Sequence, residues 1–101
     1  MIRKIETVYL YKLVGSFAED KDRAREIRKN ILWPRVKSGL KTKLDFAGVG
    51  DATQSFVHAL LSELVRETQG EVLDLIYFKN CNETVKKIIN IVVDYMQESE
   101  G

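Results

Sequence analysis

Apolar residues first alternate along the chain and then spiral. Residues 2–13, IRKIETVYLYKL, set Ile, Val, Tyr and Leu in an imperfect alternation that Gly15-Ser16 breaks, which predicts a strand. The next run, FAEDKDRAREIRKNIL, changes period: Ala24, Ile27 and Ile31 share one helical stripe, with Phe17 a pair of turns earlier. Either Ser16 with Glu19 three residues on, or Asp20, supplies its N-cap. Pro34 lacks a backbone donor, so the helix should bend or restart there, and Gly39 ends the segment. KTKLDF, residues 41–46, predicts a second strand with Leu44 and Phe46 on one side and Asp45 on the other.

After the turn AGVGDATQ, residues 54–68 predict a second helix, with Phe56, Val57, Leu60, Leu61 and Leu64 on its apolar face and Gln69-Gly70 closing it. LDLIYFK, residues 73–79, predicts a third strand. Asn80 or Asn82 then caps a last helix over 83–97. Its stripe is Val85, Ile88, Ile89, Val92 and Met96. Ile91, Val93 and Tyr95 widen that stripe, which predicts burial over about half the surface. The order β-α-β-α-β-α implies an α/β two-layer sandwich with a small, mostly parallel sheet. The expected layout is a single domain over 1–101, with its core in 2–97 and a short acidic tail in 98–101.

The chain's 101 residues suit one such domain, and 45% apolar residues suffice for its core. No apolar run approaches the roughly 20 residues of a membrane span. Arg3 and Lys4 precede a stretch too polar and short for a signal peptide, and a lone Cys81 suits a reducing compartment; both lead to an expectation of a cytoplasmic protein. Net charge is only +1, but residues 21–43 hold nine Lys or Arg against Asp22 and Glu26. Arg25, Arg28, Lys29 and Arg35 within that stretch make a candidate basic patch for an acidic protein, a nucleotide or nucleic acid, with Trp33 as one stacking contact. No recognised nucleic-acid motif accompanies it.

Catalytic chemistry finds little support. His58 and Cys81 are each the only residue of their kind, so no Cys/His cluster can hold zinc. Ser55, Ser62 and His58 lack a nucleophile elbow, and GVGD does not meet a dinucleotide or P-loop pattern. No catalytic residue, metal or cofactor is assigned, and a non-enzymatic role is expected. Asp45 and Asp51 bracket the turn; Asp45 is expected to accept hydrogen bonds from turn amides, with Gly48 as a structural turn residue.

LDFAGVGDATQSFVHALLSEL resembles the strand-turn-helix of the STAS superfamily, that of sulphate transporters and anti-sigma factor antagonists. More closely, the chain resembles a STAS-like family of uncharacterised prokaryotic domains. The likeness is carried by Ala24-Arg25-Glu26-Ile27-Arg28, Leu44-Asp45-Phe46, Gly48-Val49, Thr53-Gln54-Ser55-Phe56 and Ile76-Tyr77-Phe78-Lys79-Asn80, and spans about residues 13–96. It implies a regulatory, protein-binding module with a protein partner, such as a kinase-like ATPase domain. It also implies a phosphorylatable serine at the helix start, which falls on Ser55. Two positions depart from the antagonist pattern: Thr53 stands where an aspartate is found, and Phe56 where a small residue is found.

The expected docking face is the turn and the front of the second helix: Asp51, Thr53, Gln54, Ser55, His58, Ala59 and Ser62. At about 100° per residue, Ser55 falls opposite Phe56, Leu60 and Leu64 and should be exposed. If Thr53 is the N-cap, Ser55 is N2. The width of the last helix's apolar stripe also admits a homodimer contact.

Overall fold

The computed structural model describes the backbone of residues 5–100 and the side chains of residues 5–98. Along the chain run β1 (Glu6–Tyr9), α1 (Leu10–Val14), β2 (Phe17–Ala18), α2 (Lys21–Ile27), a π-helical turn (Arg28–Leu32) and α3 (Trp33–Lys37). Then come β3 (Thr42–Asp45), β4 (Asp51–Ala52), α4 (Gln54–Thr68), a 3₁₀ turn (Glu71–Asp74), β5 (Ile76–Lys79) and α5 (Glu83–Glu100). The main sheet is parallel with order β1-β3-β5, so β3 is central. Its register places Val8, Leu44 and Phe78 in one row and Glu6, Thr42 and Ile76 in another. Leu44, Phe46 and Ile76 are buried, while Lys43, Asp45 and Tyr77 on the alternate positions keep partial exposure. This is the α/β sandwich that the alternation of strands and amphipathic helices implies.

Helix α4 is central to the helical layer, packing against α2 on one side and α5 on the other. Phe56, Val57, Leu60, Leu61 and Leu64 are all buried, as their spacing predicts, and Val65 joins them. Among the described residues one polar side chain, Thr42, lies within this core. Thr42 is fully buried, and its hydroxyl accepts a bond from Arg35 Nε at 2.8 Å; a second Arg35 nitrogen donates to the Lys41 carbonyl at 2.9 Å. Arg35 therefore ties α3 to β3.

Several expectations are corrected. The strand expected over 2–13 has residues 2–4 outside the described part, and it stops at Tyr9. Leu10–Val14 instead coil into α1, which buries Leu10 completely and rests Leu13 and Val14 on the core. Phe17 is not helical: Phe17–Ala18 pair in parallel with Asp51–Ala52 as a second, two-residue ladder. The true cap of α2 is Asp20, whose Oδ1 accepts from Asp22 and Arg23 amides at 2.9 and 3.3 Å. The break expected at Pro34 takes the form of the π turn just before it. A proline crowds the carbonyl four residues earlier and offers no donor, and an extra residue in that turn relieves both problems.

The third strand is shorter than expected, because Glu71–Asp74 form a 3₁₀ turn and Leu73 and Leu75 precede the ladder. The Thr68 hydroxyl donates to the Leu64 carbonyl and accepts from Val72 N, which fastens that turn to the end of α4. Asn82, not Asn80, caps α5, with Val85 N donating to its Oδ1 at 2.8 Å. Val85, Ile89, Val92 and Met96 are buried and Ile88 and Val93 partly so, but Ile91 and Tyr95 stay 50% and 62% exposed. The apolar stripe of α5 is wider than the surface that α4 and β4 offer it. Among the described residues no helix is long and apolar enough to cross a membrane.

Candidate interaction site

The turn after β3 lies at the C-terminal end of the parallel sheet, where open α/β folds characteristically present their binding surfaces. Five hydrogen bonds stitch it together. Ala47 N donates to Asp45 Oδ1 at 2.8 Å, as expected of that aspartate. Asn80 Nδ2 donates to both Asp45 oxygens at 3.0 and 3.1 Å, which fixes the end of β5 against the end of β3. Asn82 Nδ2 reaches the Gly50 carbonyl at 2.9 Å. Gly50 N donates to the Ser16 carbonyl at 2.7 Å. The Ala47 amide and then the Asn80 amide stabilise the Asp45 carboxylate, so its pKa is lowered. Asn80 adopts a left-handed φ of 58° to make this contact. Gly48 adopts φ of +88°, and a Cβ there would lie 2.9 Å from Tyr11 Cδ2.

The turn delivers the chain to α4 through Thr53, whose Oγ1 accepts from Phe56 N at 3.0 Å. Thr53 is thus the N-cap and Ser55 stands at N2. Ser55 is exposed, and its hydroxyl has no hydrogen-bond partner among the described residues. His58 and Gln54 are exposed beside it and Ser62 is partly so. Two expected contact residues have other work: the Thr53 hydroxyl is taken by the cap, and Asp51 accepts from the Ala52 amide. Ala59 corrects the expectation of exposure. It is only 9% exposed, being small enough to let Arg28 reach over it and donate to its carbonyl at 3.1 Å.

Ser55, His58 and Ser62 open onto a groove of about 560 Å³ between α2, α4 and α5. Lys21, Arg25 and Arg28 form one wall, and Ile91 and Tyr95 the opposite one. Sequence reasoning identified the hydroxyl face and two of these cations but kept them as separate features. The packing of α2 on α4 brings them together. Lys21 and the apolar wall were missed, and the unmatched width of the α5 stripe was the available signal for the latter.

The basic stretch does not form one surface. Arg25 pairs with Asp22 at 2.8 Å, and Arg28 with Glu63 at 3.5 Å. Arg23 contacts Glu26 and the Leu13 carbonyl, while Arg35 is held at Thr42. Arg35 and Lys29 do not line the groove; Lys29 shares a smaller one with the partly buried Trp33. Partial burial pushes the Cys81 thiol pKa up, against the pull of Lys86, so Cys81 is not an activated thiolate. Among the described residues no three His, Cys, Asp or Glu side chains gather in a metal-binding group.

A protein-family model described as a STAS-like domain of unknown function matches residues 23–86, more than half of the chain. The matched span runs from Arg23, within α2, through the first turn of α5, and so includes the stitched turn and all of α4. No curated protein and no solved structure matches the chain.

Proposed function

The chain belongs to this STAS-like family, and on that premise we propose that it is a non-enzymatic regulatory module that docks a protein partner through the groove fronted by Ser55. The observation that carries the reading is the state of Ser55. It is exposed at the second position of a 15-residue helix, its hydroxyl is uncommitted among the described residues, and it borders the groove beside Lys21, Arg25 and Arg28. A residue there serves docking better than catalysis, since neither a general base nor an oxyanion-stabilising group stands in a bonded arrangement with it.

Phosphorylation of Ser55 is the regulatory step. A phosphate adds about −2 charge, is favoured in the first turn of a helix, and draws the groove's cations toward itself. It would fill the groove mouth and release the partner. By the resemblance, that partner is a kinase-like ATPase domain. The nucleic-acid alternative is weaker, because the four arginines of the basic stretch already bond to carboxylates, carbonyls or Thr42.

The test is a pull-down from the native host with mass-spectrometric readout of partner and phosphosite. The wild type and Ser55→Ala should capture the same protein, and Ser55→Asp and Ser62→Arg should lose it. Equal capture by all four forms would overturn the proposal.

A further inference from the structure

Six large apolar side chains are left exposed among the described residues, and two of them, Ile91 and Tyr95, sit together on α5. At about 100° per residue, Thr84, Lys87, Asp94, Tyr95 and Glu98 all fall within about 60° of Ile91, and each is exposed. The stripe thus has an apolar centre, a positive charge on its N-terminal side and negative charges on its C-terminal side. Lys87, Asp94 and Glu98 make no ion pair with any described residue. Glu98 lies near the C-terminal end of α5, where the helix dipole disfavours a negative charge, and the last turn has no basic side chain to offset it.

We infer that α5 pairs antiparallel with α5 of a second copy of the chain, across a twofold axis at Ile91. The charge order selects this arrangement. A parallel pair would set Lys87 beside the partner's Lys87 and Asp94 beside the partner's Asp94, which is repulsive on both counts. In the antiparallel pair, residues equally far before and after Ile91 lie level with each other. Lys87 then lies next to the partner's Asp94, and both project from the same flank of the stripe. Ile88, partly buried within its own chain, lies next to the partner's Tyr95 on the other flank. Each contact occurs twice, as an isologous interface requires.

This goes beyond the docking proposal but shares Ile91 and Tyr95 with its groove, so the test turns on Lys87 and Asp94, which do not line that groove. One helix pair is a small interface, and a dissociation constant of about micromolar order or weaker is expected. Sedimentation of the full chain up to about 500 μM covers that range. The wild type should dimerise, and Ile91→Glu should leave a monomer with an unchanged circular dichroism spectrum. Lys87→Glu and Asp94→Lys should each weaken the dimer about tenfold, and the two together should recover it to within about threefold. A monomeric wild type, a dimer indifferent to Ile91→Glu, or a charge-swapped double variant no tighter than the singles would each overturn the inference. Partner capture by a monomeric Lys87→Glu form would show the docking groove working without self-pairing.

Discussion

Substituting Gly48 with alanine separates two costs at the turn that presents the candidate site. The first is backbone strain. Gly48 holds φ at +88°, where a Cβ costs about 1–2 kcal/mol. The second is a collision with Tyr11. The new Cβ would lie 2.9 Å from Tyr11 Cδ2, 3.0 Å from Cγ and 3.4 Å from Cβ. Because the contact reaches back to Cγ, turning the ring about its own axis does not clear it, and either the whole Tyr11 side chain must swing away or α1 must shift. Overpacking of this kind costs about 1–3 kcal/mol, so Gly48→Ala should destabilise by about 2–5 kcal/mol in total. Urea unfolding with a shared m-value measures the loss. In a Tyr11→Ala background the collision is gone and only the strain remains, so the same substitution should cost about 1–2 kcal/mol, with the difference appearing as coupling in a double-mutant cycle. A cost below about 0.5 kcal/mol, or additive single and double variants, would refute the assigned contact.

Three further outcomes follow from bonds elsewhere in the fold. Thr53→Ala should lose about 1 kcal/mol and Thr53→Ser much less, read by thermal or urea unfolding, because only the cap oxygen is at stake. Arg35→Ala should cost about 1–3 kcal/mol by removing the donor to buried Thr42, and a smaller loss in a Thr42→Val background would confirm that pairing by denaturant titration. The native Asp45 pKa lies below its ordinary value of 3.8, so the unfolded chain takes up this proton first as the pH falls. The stabilisation is therefore complete above 3.8 and lost as pH drops through the lowered native value; Asp45→Asn should flatten the wild type's stability curve in that acid window.

The second half of the fold was largely legible in the sequence. Helix α4 begins and ends where its periodicity and Thr53 predicted, because a long apolar face and a good cap agree. The first half was harder. Leu10 and Val14, four residues apart, fit the end of an alternating strand almost as well as a single helical turn, and burial of Leu10 decides for the helix. The β2-β4 ladder has two residues on each side, too few to show any period. Pro34 announced a break, but a missing donor does not by itself say that the break takes the form of a π turn over Arg28–Leu32. The site divides along the same line. Exposure of Ser55 follows from the helical wheel, whereas its neighbours Lys21 and Arg25 lie some thirty residues away and meet it only through packing. The basic stretch looked continuous because composition counts charges without their partners, and Arg35 in particular was already engaged with the core.

Hydrogen–deuterium exchange on the chain with its captured partner, against the chain alone, tests the docking account most directly. Protection should concentrate in residues 54–62 and in the α2 and α5 segments facing them, and should vanish with Ser55→Asp. Protection confined to the β1 edge or to residues 69–74, with residues 54–62 unchanged, would contradict it.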